Sequence, residues 1–101
     1  MSDRPVAGSA QQELKSAWER IKVGDLENAE PVCRKLLLEH PELVETEFAL
    51  GVISSRKGYK TAALAHLERF LAHSPNEVAA LGLTAQLLFE AGQTERAFEL
   101  G

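Results

Sequence analysis

The reading of the fold turns on Leu50–Pro75, LGVISSRKGYKTAALAHLERFLAHSP. Its first part is an apolar helical run that stops at Gly58, a residue able to take the left-handed backbone of a helix C-terminus without a Cβ penalty. Arg56 and Lys57, just before it, suit the negative end of a helix dipole. A second run, about Lys60–His73, is closed by Ser74-Pro75, because the residue before a proline is pushed out of helical geometry. The same punctuation recurs at a step of 34 residues: Gly24, Gly58 and Gly92; Ala29, Ala63 and Ala97; Leu37 and Leu71; Pro41 and Pro75. A period in this range marks stacked helical repeats.

At the start of the chain, residues 1–9 read as a flexible tail, with Pro5 and Gly8 and no periodicity. Ser9 and Gln12 have capping-box spacing, and Leu14, Ala17, Trp18 and Ile21 then follow at steps of three and four. Gly24 ends that helix and Asp25 is a good N-cap for the next, about residues 26–40. Pro31 predicts a small kink or an irregular first turn there. A third helix, about 42–56, carries Phe48, Ala49, Val52 and Ile53. The fifth, about 77–91, is capped by Asn76 and ended by Gly92, and a short sixth begins near Thr94. No run alternates like a strand. Ala17, Gly51 and Ala85 precede Ala29, Ala63 and Ala97 by twelve residues each, so small residues face small ones and paired helices come close.

These residues resemble the tetratricopeptide repeat family. Leu50-Gly51, Gly58-Tyr59, Ala63, Leu71 and Pro75 look like its signature. Gly24-Asp25-Leu26, Ala29, Leu36-Leu37 and Pro41 look like the second half of another copy, and Ala85, Gly92 and Ala97 suggest a third. The resemblance implies an all-α, right-handed solenoid of antiparallel helix pairs. It would hold about 2.5 repeats in residues 10–101 (about 10–43, 44–77 and a partial 78–101), with six helices, the last one short. Glu13, Ser16 and Arg20 stand where the family has large apolar residues, as suits a first repeat with nothing before it to pack on.

In this family the first helix of each unit lines a concave groove. Leu14, Trp18 and Ile21, then Phe48, Val52, Ser55 and Arg56, then Ala79, Gly82, Leu83, Gln86 and Phe89 fall at those positions. An apolar groove with aromatic anchors implies a peptide or amphipathic-helix ligand. The competing readings are that these residues pack on one another between adjacent helices, or that more of a longer protein fills the groove. Members that grip an acidic C-terminus use Lys, Asn and Arg, whereas Leu14, Trp18, Ala49, Ala79 and Leu83 stand at the matching positions here, which argues against that role.

Composition narrows the classes further. The chain has 101 residues, 45% apolar and 26% charged, with net charge −4 and no block of like charge. That is one globular domain with no signature of nucleic-acid or anionic-membrane binding. There is no signal-peptide run and no stretch near the ~20 apolar residues of a membrane span, so a cytoplasmic protein is expected. Cys33, alone, lies on an apolar helix face and reads as a buried, inert thiol. His66 and His73, seven apart, lie roughly 10 Å apart along a helix axis, too far to share a metal. Surface or capping roles are expected for them and for His40. Glu27/Glu30 and Glu45/Glu47 read as solvated. No catalytic, cofactor or metal constellation is expected. The chain thus reads as a scaffold or adaptor binding a protein or peptide. The alternative is the N-terminal domain of a longer enzyme, serving dimerisation or substrate positioning. The incomplete third unit also predicts a homodimer through Ala97, Phe98 and Leu100.

Overall fold

Five α-helices build the protein in this computed structural model, which describes the backbone of residues 6–100 and the side chains of residues 9–92. They are α1 (Val6–Lys22), α2 (Leu26–Glu39), α3 (Glu45–Lys57), α4 (Lys60–His73) and α5 (Val78–Leu100). Each packs on its neighbour in sequence, and α1 also reaches α3. The result is elongated, 63 × 27 × 20 Å.

The 34-residue step is written into the backbone. Gly24 and Gly58 take φ +85° and +89°. After each, the same pair of bonds closes the helix: Gly24 N–H to Ile21 O and Asp25 N–H to Arg20 O, then Gly58 N–H to Ser55 O and Tyr59 N–H to Ser54 O. That double bond pattern is a Schellman motif, which satisfies carbonyls the helix end would orphan. His40 and Ser74, each before a proline, have φ −135° and −134° with ψ 66° and 70°. Each donates its N–H back to the helix it ends, at Leu36 O and Phe70 O.

Two cores follow from this plan. One joins α1, α2 and α3 around Ala17, Ala29, Cys33, Leu36, Leu50 and Ile53. The other joins α4 and α5 around Ala63, Leu67, Phe70, Ala80 and Leu87, with Phe48 of α3 packed against it. The middle helix α3 serves both and buries Thr46, Ala49, Leu50, Gly51, Ile53 and Ser54. A Cβ on Gly51 would lie 3.0 Å from Leu67 Cγ, and only 3.5 Å from the Ala63 carbonyl, so α3 approaches α4 closely here and Leu67 is what limits the size of residue 51.

Several boundaries differ from the sequence reading. The first helix starts at Val6, not at Ser9, so part of the expected tail is helical and Ser9 lies inside a helix. The second runs unbroken through Pro31, which is exposed. Asp25 occupies the N-cap of α2, but its carboxylate accepts from the Asn28 side chain rather than from a backbone N–H. Glu77, not Asn76, caps α5: its Oε1 accepts the Ala79 N–H at 3.0 Å.

The largest difference is at Gly92. Six helices were expected and the described residues form five, because α5 runs straight through that glycine. Continuing the helix costs only about 1 kcal/mol for an interior glycine. Among the described residues nothing then folds back on Ala85, which is exposed, unlike its counterparts Ala17 and Gly51. The side chains of Ala97, Phe98 and Leu100 lie outside the described residues.

Candidate functional site

The crossing of α1 and α3 brings aromatic residues together. Trp18 meets Phe48 with ring centroids 5.4 Å apart and planes tilted by 57°. Phe48 in turn stacks on Phe70 of α4 at 5.1 Å and 16°. Phe70 is buried, whereas Trp18 and Phe48 are half-buried, each keeping part of its ring surface toward water. Their positions follow from local structure. Trp18 lies beside the buried row of α1, and Phe48 lies next to the face of α3 that Gly51 holds close to α4.

Beside Trp18 opens a hollow of about 310 Å³, bounded by Gln11, Leu14 and Lys15 of α1 and by Leu43 and Glu45 of the turn into α3. A second hollow of about 290 Å³ adjoins it and adds Ala10, Glu42 and Val44. The floor is apolar (Leu14, Trp18, Leu43) and the rim carries Gln11, Lys15, Glu42 and Glu45. Small apolar recesses with a few polar groups at the edge suit an apolar side chain whose flanking backbone stays hydrated.

The expected groove residues divide into three groups. Leu14 and Ile21 are core, at 6% and 1% exposure, and only Leu14 also floors the hollow. Ile21 is therefore not available to a ligand, because α2 and α3 cover it. Val52 and Leu83 are partly buried against the two cores. Arg56 is committed elsewhere: its Nη1 donates to Ile21 O at 3.0 Å, so it caps a carbonyl at the end of α1. On α5, Gln86 donates to Glu90 at 3.2 Å, Ala79 and Gly82 are exposed, and Phe89 is 65% exposed. The structure thus joins Leu14, Trp18 and Phe48 at one place, with Phe89 on a separate helix face.

Sequence reasoning missed Phe70, Gln11, Lys15, Leu43 and Glu45. A signal existed for Phe70, which stands 34 residues after the buried Leu36. None existed for the hollow, which depends on how residues 40–44 turn.

Polar contacts staple the helices. Glu30 of α2 accepts Lys57 Nζ of α3 at 2.6 Å and Arg34 at 2.7 Å. Hydrogen bonds from Lys57 and then Arg34 hold the Glu30 carboxyl below the usual range, and Glu30 raises Lys57 in return. Cys33 is fully buried, and that burial, helped by the Glu30 charge, pushes its thiol up to about 11. His66 was expected at the surface but is buried between α4 and α3, its Nδ1 2.7 Å from Glu47 Oε1. Glu47 was expected to be solvated, yet it sits between His66 and Arg69, whose Nε donates at 3.2 Å. Packing of α4 on α3 puts both inside. Like the Glu30 cluster, this one ties two helices together with its acceptors already filled.

Among the described residues, no group of three or more His, Cys, Asp or Glu side chains could hold a metal ion. Nor is any described helix long and apolar enough to cross a membrane. No protein-family model, curated protein or solved structure matches the chain.

Proposed function

We propose that the chain is a protein–protein interaction module of the tetratricopeptide type, a right-handed array of antiparallel helix pairs. Its ligand would be an apolar peptide or one face of an amphipathic helix, seated on Trp18 and Phe48 with an anchor side chain in the hollow beside Leu14. The repeated Schellman turns and pre-proline caps support the repeat, and the close Gly51–Ala63 pairing supports the hairpin. The observation that carries the binding role is the pair Trp18 and Phe48, touching each other and left half-buried beside a recess with an apolar floor. Aromatic residues at such places are the usual anchors of interfaces. Lys15 and Glu45 on the rim carry opposite charges, so they would orient a ligand rather than select a strongly charged one. A free thiol in the core supports a reducing, cytoplasmic setting.

The test is selection from a displayed library of helical and extended peptides, followed by calorimetry. Selected peptides should share apolar anchors at helical spacing. Exchanging the rim charges (Lys15→Glu with Glu45→Lys) should change affinity at least tenfold, about 1.4 kcal/mol, with little effect on folding. A selection that enriches nothing, or ligands indifferent to both the rim exchange and Trp18→Ala, would refute the reading.

A further inference from the structure

Helix α5 carries two apolar faces. Ala80 and Leu87 are buried against α4, with Leu83 partly buried beside them. On the opposite side Val78, Gly82, Ala85 and Phe89 form a row at steps of four, three and four, flanked by Leu81 and Leu88. The matching row of α1, 68 residues earlier, is Ala10, Leu14, Ala17 and Ile21, and all four are buried at 6% exposure or less. In α5 that row is bare: Val78 is 79% exposed and Phe89 65%, with Leu88 at 57% and Leu81 at 45%. No charged residue interrupts it between Val78 and Gly92, since the single charge in that span, Glu90, lies off the row.

We propose that this row is the interface of a homodimer, in which the α5 helices of two copies pair antiparallel about a two-fold axis between Gly82 and Ala85. A second copy fits this row because the row is its own complement. Read in either direction its sizes run large, small, small, large. With the axis at the midpoint, Gly82 opposes the partner's Ala85 and Phe89 opposes the partner's Val78. Leu88 then lies beside the partner's Leu81. Nothing lies within 4 Å of a Cβ built on Gly82, so the centre is open to close approach. Two small residues at a crossing let helix axes come to the lower end of the ~8–10 Å range. Such an isologous contact closes on itself and stops at two copies.

The area suits a weak dimer. The exposed parts of Val78, Leu81, Leu88 and Phe89 amount to about 500 Å² per copy at roughly 200 Å² for a large apolar side chain. The total of about 1,000 Å² is the lower limit for a specific interface. An interface of this size is that of a weak, transient dimer.

Sedimentation equilibrium or light scattering of the full chain from about 10 μM to about 1 mM tests this. The expected result is a monomer–dimer equilibrium that Ala85→Arg, at the centre, abolishes and that Ala72→Glu, on an exposed part of α4, leaves unchanged. Phe89→Glu should weaken the dimer at least tenfold while leaving the melting temperature of the dilute monomer unchanged. A monomer throughout the range would overturn the proposal. So would a dimer that survives Ala85→Arg, which would place the contact elsewhere. A fall in the dilute melting temperature with Phe89→Glu would also overturn it, by showing that the chain covers this row itself.

Discussion

Three glycines that lie inside helices should respond to alanine in opposite ways. In a helix interior, Gly→Ala gains about 0.8–1.0 kcal/mol from propensity and a less flexible unfolded chain. At Gly82 and Gly92 nothing lies within 4 Å of the added Cβ, and neither has positive φ, so the gain should appear almost in full. Gly51 has helical φ as well, but its Cβ would sit 3.0 Å from Leu67 Cγ and 3.2 Å from Cδ2. Leu67 is fully buried, and the close atom is its branch point rather than a free end, so making room shifts packed core atoms by a few tenths of an ångström. Overpacking of this kind costs about 1–3 kcal/mol. Set against the propensity gain, the net should be a loss of about 1 kcal/mol. For a domain of this size 1 kcal/mol shifts the melting temperature by about 4–8 °C. Thermal melts followed by circular dichroism, at concentrations too low for association, should show Gly51→Ala falling and both Gly82→Ala and Gly92→Ala rising. A rise for Gly51→Ala would refute the close α3–α4 packing. A fall for Gly92→Ala would refute the continuous α5, since alanine is penalised there only if position 92 must take positive φ.

Other expectations are as direct. Phe48→Ser should lower stability by about 2–4 kcal/mol, because the ring bridges Trp18 and Phe70; Phe89→Ser should stay within about 0.5 kcal/mol in the dilute monomer, and equal losses at the two sites would contradict their burial. Glu30 has a lowered pKa, so its ionised form stabilises the fold fully above about pH 4.5 and that contribution is lost as pH falls through the lower folded-state value. Glu30→Gln should therefore melt earlier at pH 7, with the gap to the parent closing in acid; a pH-independent gap would rule out the ion-pair explanation. Cys33, with its thiol pushed up to about 11, should resist alkylation at pH 8 until the protein is unfolded. Rapid labelling of the native protein would mean that the first core opens locally.

Much of the architecture was legible because helix ends are local events. Gly24, Gly58, Pro41 and Pro75 act through their own backbones, and the four ends they mark lie at the expected places. The pairing of Gly51 with Ala63 was legible too, since side-chain size and spacing suffice to infer it. Capping was less so: Asp25 and Asn76 had suitable chemistry, but Asn28 engages the first and Glu77 performs the second role. The apolar pattern placed Leu14, Ile21, Trp18 and Phe48 on one helix face each. It could not say which of them a neighbouring helix would cover.

Residue types alone fixed four of the helix ends, which residues stay small and the all-α character of the described chain. Those properties depend on φ/ψ preferences and volumes within a turn or two. The tertiary structure alone decided that Ile21 is sealed while Trp18 and Phe48 remain half open, and that Arg56, Glu47 and His66 tie helices together. It also decided the fate of Gly92. A glycine permits a helix to end but does not compel it, and a turn forms only where the chain beyond it gains enough by packing back. At Gly24 and Gly58 a full helix returns to bury Ala17 and Gly51; at Gly92 the helix continues, and Ala85 stays exposed.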